Sequence, residues 1–226
     1  MSGKRGLAKI FLLAIALAFA ACGAPSTPAP LSVINPINDF PLTIGSYWVY
    51  SHTEYSEDYA STNCCITIVV VDNQMQGPYF LAKLKRDLSF VPQWAPFGLN
   101  DGPGEFWYAL DGRGHVYYLA DMVEIDKIED ATLAFVFPLE STECWFRSPD
   151  DWNALGDHCT FFAGPQTHAT PAGVFEDCYG SVTPYLSGNT YEIVCKGIGY
   201  VAAQYDHWGS PFGYETTLLE YRIARP

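Results

Sequence analysis

Tyr79-Phe80-Leu81-Ala82-Lys83-Leu84-Lys85-Arg86-Asp87-Leu88 decides the fold class. Phe80, Ala82, Leu84 and Leu88 fall on alternate positions, with Lys83, Lys85 and Asp87 between them. Successive side chains of a strand point to opposite faces, so this alternation predicts a half-buried strand and excludes an amphipathic helix. The same reading extends in both directions. Gly45 to His52 is an aromatic-rich strand, and Cys65 to Val71 is β-branched almost throughout. Phe106 to Leu110 and His115 to Leu119 flank Asp111-Gly112-Arg113-Gly114, a glycine-rich hairpin turn. Thr132 to Phe137, Gly173 to Val182, Tyr191 to Cys195, Tyr200 to Tyr205 and Glu215 to Ile223 complete a set of about ten strands. The fold class is mainly β: an antiparallel curved sheet, half-barrel, or closed barrel or sandwich. No stretch has helical periodicity long enough for a βαβ unit, and no internal repeat is present.

One short helix is expected over 149–155. Ser148 supplies the N-cap, Pro149 fits the first helical position, and Asp150 and Asp151 suit the positive helix end. Gly156 closes it after Leu155.

The first 21 residues read as an export signal. Lys4, Arg5 and Lys9 give a positive start, Ile10 to Ala18 is an apolar stretch too short to span a bilayer, and Phe19-Ala20-Ala21-Cys22 follows like a lipobox. Cleavage before Cys22 would leave that cysteine lipidated. Ala18-Phe19-Ala20 also fits an ordinary secretory cleavage site. Residues 22–39, rich in Pro, Ala, Ser and Thr, form a tether, and residues 40–226 are expected to make a single β domain. The expected address is a lipid-anchored position on the cell membrane, facing the periplasm or the cell exterior.

Removing Lys4, Arg5 and Lys9 from 12 basic residues leaves 9 against 25 acidic ones, a formal net charge of -16. Such a surface repels nucleic acid and anionic headgroups, so the lipid anchor is the expected membrane contact and nucleic acid is not an expected partner. Outside the cytosol, an even count of six further cysteines reads as disulfides. A turn at Leu186-Ser187-Gly188-Asn189 sets Cys178 opposite Cys195, and Cys144 with Cys159 closes a loop of similar size. Cys64 and Cys65 remain. A bridge between neighbours on a strand is strained, so other pairings among the six stay open. No C-x-x-C pair favours zinc.

Three segments carry a resemblance. Phe40-Pro41-Leu42-Thr43-Ile44-Gly45-Ser46-Tyr47-Trp48-Val49-Tyr50 resembles the F-P-L-x-x-G-x-x-W-x-Y opening of uncharacterised exported bacterial lipoproteins. Pro171-Ala172-Gly173-Val174-Phe175 is similar to their P-x-G-x-F segment, and Gly197-Ile198-Gly199-Tyr200-Val201 to their G-x-G-x-V. The resemblance implies a curved antiparallel sheet, a half-barrel like that of periplasmic lipoprotein carriers. It transfers no catalytic residues, and Cys64 to Cys159 departs from the pattern.

Motifs for chemistry are sparse. Gly197-x-Gly199-x-x-Ala202 matches a dinucleotide-binding pattern, but only 24 residues follow it, too few for the helix and strands that motif needs. No cofactor is therefore expected. G-x-S-x-G, H-E-x-x-H and S-x-x-K are absent. His52, His115, His158, His168 and His207 are scattered, so a triad could assemble only in space. Asp150, Asp151, Asp157 and His158 are the best candidates for a hard cation, although capping already accounts for two of them. Glu124, Asp126, Glu129 and Asp130 read as a solvated loop. Trp94 and Trp208 lie on expected loops, where an exposed ring could stack on a sugar or line an apolar groove. The functional expectation is a membrane-anchored binding module for an apolar ligand, a lipid or an envelope protein. The alternatives are a cell-envelope hydrolase with a His-carboxylate site, or an architectural envelope protein.

Overall fold

The computed structural model describes residues 39–90, 103–120, 127–128, 131–139, 144–145, 160–185 and 187–225. Contacts divide the chain into Met1–Val33 and Ile34–Pro226, and the described fold belongs to the second unit. Its eleven named elements are all strands: β1 Tyr47–Tyr55, β2 Ala60–Gln76, β3 Tyr79–Leu88, β4 Gly104–Leu110, β5 His115–Leu119, β6 Thr132–Val136, β7 Phe161–Thr170, β8 Gly173–Tyr185, β9 Gly188–Cys195, β10 Gly199–His207 and β11 Gly213–Arg222. They form one antiparallel sheet in the order β6-β5-β4-β3-β2-β1-β11-β10-β9-β8-β7, curled into a half-barrel. Two meanders, β1 to β6 and β7 to β11, are thus joined edge to edge by pairing of the first strand with the last.

Curling has a local cause. Register shifts at Val49/Tyr50, Tyr50/Ser51, Val70/Asp72 and Tyr200/Ala202 put extra residues into the central strands, and each such bulge bends its strand. The inner face is apolar and aromatic on the β1–β6 side. Trp48, Tyr50, Ile66, Val70, Leu84, Phe106, Tyr108 and Phe135 are all buried there with Phe40 and Leu42. Phe40 meets Tyr108 edge-on at 5.5 Å, and Phe106 meets Tyr108 the same way at 5.5 Å, the geometry that aromatic quadrupoles favour. β10 and β11 pair only from Ala202 to Asp206. Where they part, Trp48 Nε1 donates to the Ile198 carbonyl at 2.7 Å and the Tyr50 hydroxyl to the Tyr200 carbonyl at 3.0 Å. The Ala172 amide of the β7–β8 turn donates to the Leu218 carbonyl at 3.3 Å.

Asp111-Gly112-Arg113-Gly114 forms the expected β4–β5 turn, with Asp111 accepting from the Arg113 and His115 amides. Gly114 has φ +95°, and a Cβ there would lie 2.5 Å from the Phe137 carbonyl oxygen, so this position requires glycine.

Three features of the fold depart from the sequence reading. The sequence reading places no strand between Phe137 and Gly173, yet β7 lies there and holds Gly164 and Pro165 on the sheet's edge strand, with a register shift between Ala163 and Gln166. On β3, Arg86 turns inward and is only 2 % exposed, its guanidinium lying 5.5 Å over the Phe106 ring. The opposite face of β3 is covered as well: Tyr79 and Leu81 pack with Ala109, Tyr117, Leu119 and Ile128 in a second, smaller cluster. The helix expected over 149–155 lies outside the described residues.

Candidate functional site

The two faces of β8 to β11 present different chemistry, and the strand registers show how. On the inner face, Ser181 stands opposite Glu192, Glu192 opposite Ala203, Ala203 opposite Thr216, and Thr216 opposite His52. Every residue of this row is buried; Glu192 is 1 % exposed and His52 0 %. Burial of polar groups is tolerable only when they are bonded. Accordingly, Ser181 Oγ donates to Glu192 Oε2 at 3.4 Å and His52 Nδ1 lies 2.8 Å from Thr216 Oγ1, while the Glu54 carboxylate lies 3.6 Å from His52 Nε2, an ion-pair distance and not a hydrogen bond. The Phe90 ring stacks on His52 at 5.8 Å. Thr160 and Thr183 exchange a 2.9 Å hydrogen bond nearby.

This is a His-carboxylate grouping inside the sheet, but it is sealed. The adjoining apolar cavity, lined by Trp48, Tyr50, Phe106, Tyr108 and Tyr200 among others, is about 40 Å³. That is enough for a water or two.

The outer face offers more room. Tyr191 stands opposite Gln204, Gln204 opposite Glu215, and Glu215 opposite Thr53. The next row runs Ile193, Ala202, Thr217, Ser51, Cys64. Over these rows stand His168 and Ala169 of β7, closing a groove of about 180 Å³ between the β7–β8 arm and the outside of β9 to β11. The arm is tied down at its base, where Cys178 of β8 lies opposite Cys195 of β9 and is bridged to it, with Cα atoms 3.9 Å apart. Both cysteines are fully buried and belong to the main apolar cluster.

Within the groove, Gln204 Nε2 donates to Asp206 Oδ1 and Oδ2, each at 3.0 Å, which fixes its amide plane. Thr217 Oγ1 donates to Glu215 Oε1 at 3.4 Å, and the Tyr191 hydroxyl accepts from Asn189 Nδ2 at 3.3 Å. Partial burial under the arm holds the His168 imidazole below the usual histidine pKa, favouring its neutral form. Just beyond, the Tyr55 hydroxyl donates to Asp206 Oδ1 at 2.8 Å; burial, and then the Asp206 hydrogen bond, push that phenol up to about 12.

The other sequence candidates are dispersed. His115 bonds Asp111 Oδ2 at 3.1 Å across the β4–β5 turn, and His207 stacks on Phe212 at 4.1 Å while bonding Ser210 at 2.9 Å. Cys64 and Cys65 are joined to each other across a cis peptide bond. Cys144 is a disulfide cysteine, and Cys159 lies outside the described residues. Cys22, Trp94, Glu124, Asp126, Glu129, Asp130, Asp150, Asp151, Asp157 and His158 also lie outside them. Among the described residues, no cluster of His, Cys, Asp and Glu could hold a metal ion. Gly197 and Gly199 occupy the β9–β10 turn with φ of +70° and +92°, and a strand follows them where a dinucleotide fold needs a helix. Trp208 is 56 % exposed on the β10–β11 turn. Tyr191, Gln204 and Glu215 escaped the sequence reading, since nothing in a linear pattern aligns three strands. The tight Gly197–Gly199 turn is the one signal that could have registered Tyr191 against Gln204.

No protein-family model and no curated protein sequence matches this chain. Among solved structures it is similar to a protein from Bacteroides fragilis classed as exported, with a YmcC-like fold, at 13 % identity and a TM-score of 0.43, covering 81 % of this chain and 98 % of that one. A protein from Parabacteroides distasonis classed as a lipoprotein gives 13 % identity and a TM-score of 0.43 over 81 % and 97 % of the two chains. The hypothetical protein CT021 from Chlamydia trachomatis gives 9 % and 0.31 over 81 % and 93 %.

Proposed function

We propose that this chain is an exported, lipid-anchored binding module that takes its ligand on the outside of the sheet, in the groove beneath the β7–β8 arm. The observation that carries this reading is the contrast in space. The inner cavity is about 40 Å³ and walled by rings, whereas the outer groove is about 180 Å³ and brings an imidazole, an amide, a carboxylate, a hydroxyl and a phenol together. A concave site with a few convergent polar groups is what a specific small-ligand site requires. The lipoprotein-like start ending at Cys22 supports the anchored address, and the formal charge of -16 keeps the domain off anionic headgroups.

Two measurements test it. [3H]Palmitate should label the chain in a bacterial host and fail to label Cys22→Ser; an unlabelled wild type overturns the anchor. Dansyl-undecanoic acid, a fluorescent fatty-acid probe, should show no saturable binding to the full chain. Saturable one-to-one binding that Leu84→Phe abolishes by filling the inner cavity would make the protein a lumenal carrier and overturn the outer-face reading.

A further inference from the structure

The outer groove supports a more specific assignment, which rests on the outer-face reading. We infer that its ligand is an uncharged pyranose sugar, stacked on Tyr191 and hydrogen-bonded by Gln204, Glu215 and Thr217. A pyranose has a flat C–H face and a rim of hydroxyls, each both donor and acceptor. It therefore calls for an exposed ring beside planar polar side chains whose orientation is already fixed.

The groove has that arrangement. Tyr191 is 39 % exposed, and Ile193 and Ala202 in the adjacent row extend the apolar surface next to it. Neighbouring strands are about 4.8 Å apart, so Tyr191 on β9 and Glu215 on β11 stand roughly 10 Å apart across β10, the span of a sugar ring with its hydroxyls. Gln204 lies between them with its amide plane held by Asp206. Glu215 is steadied by Thr217 on the same strand. Little ordering is left for binding to impose on these side chains, which lowers its entropic cost.

Charge and polarity narrow the class. Among the described residues no Lys or Arg lines the groove, and Glu215 with neighbouring Asp206 repels uronates and phosphorylated sugars. An alkyl chain laid in the groove would desolvate Gln204, Thr217 and Glu215 without bonding them, a penalty that a hydroxyl-bearing ligand avoids. One stacking ring and a few hydrogen bonds give weak affinity, on the order of 1 mM, with little discrimination between sugar epimers.

Saturation-transfer NMR on the full chain suits that range. The probes are the methyl glycosides of glucose, galactose and N-acetylglucosamine, with glucuronate as the charged comparison. At least one neutral glycoside should receive saturation on its ring C–H protons. Tyr191→Ala should weaken binding about 3- to 10-fold, the range of one aromatic stacking contact. Tyr191→Phe should retain binding, Ala substitution of Trp208 or of Tyr59, an exposed ring between β1 and β2, should leave it unchanged, and glucuronate should bind at least tenfold more weakly. Circular dichroism establishes that each variant is folded. No transfer to any of the three glycosides overturns the assignment. So does transfer that is insensitive to Tyr191→Ala, is lost in Trp208→Ala, or is equally strong for glucuronate. Failure here, together with absent fatty-probe binding, removes the sugar and leaves the outer-face reading. Lumenal binding of the fatty probe removes both.

Discussion

Glu192 and Glu215 are two carboxylates on neighbouring parts of one sheet, and they experience opposite environments. Glu192 is on the inner face of β9, 1 % exposed, in a row with Ser181, Thr216 and His52. Glu215 is on the outer face of β11, exposed, between Gln204 and Thr53. In sequence both sit in strands of mixed polar and apolar residues, Thr190-Tyr191-Glu192-Ile193-Val194 and Tyr214-Glu215-Thr216-Thr217-Leu218. The inner face here is the more polar one, and the outer face carries Tyr191 and Ile193. Parity of position decides which carboxylate is structural and which is accessible; residue type does not. A buried polar row is kept by hydrogen bonding, and removing one member leaves its partners desolvated and unbonded. An exposed row is free to meet solvent or ligand.

The largest test of this contrast lies in the apolar part of the inner face. Trp48 is buried among the inner-face rings, and its indole N–H holds the Ile198 carbonyl at the point where β10 and β11 diverge. Trp48→Ala removes the ring, opens a cavity and frees a buried carbonyl. Urea unfolding should show a loss of about 3–5 kcal/mol. A loss below about 1 kcal/mol would mean that the inner face is not the principal core.

The paired carboxylates come next. Glu192→Ala should cost about 2–3 kcal/mol, because Ser181 is left buried without its acceptor. Glu215→Ala, on the exposed row, should fall within about 0.5 kcal/mol of wild type. Equal effects in the two unfolding curves would erase the distinction between the faces.

Much of the sheet is legible in the sequence, because a strand with one apolar face carries its own period. Phe80, Ala82, Leu84 and Leu88 mark β3, and Asp111 to Gly114 mark the turn that follows β4. Legibility fails where tertiary context overrides local pattern. Gly164-Pro165 reads as a break, yet an edge strand can hold a proline because one side of it needs no ladder hydrogen bond. Arg86 and His52 are polar residues that local pattern does not mark as buried, yet one lies over an aromatic ring and the other bonds Thr216 inside the sheet. The groove is the extreme case. Its floor is assembled from β9, β10 and β11 and its roof from β7, so residues from 168 to 217 meet only once register and curl are set. Composition and spacing carry no record of that meeting.

His168 provides the smallest and most local test, since it belongs to the groove but not to either packed cluster. Burial beneath the arm disfavours its charged form, so its folded pKa lies below the usual 6.5. The folded chain then binds fewer protons at this site than the unfolded chain. Its contribution to stability is fully present above pH 6.5 and is lost as the pH falls through the lowered folded value. Because the ring is only half-buried, the effect on unfolding should be slight, and NMR titration of the imidazole resonances is the more sensitive measurement. A midpoint below 6.5 is expected, and His168 should move further down when a neutral sugar fills the groove, since the ligand displaces water from the ring. A midpoint at or above 6.5 would mean that the ring is not desolvated in the folded chain. The arm would then stand further from β9 to β11 than its contacts imply, and the groove would be an open face.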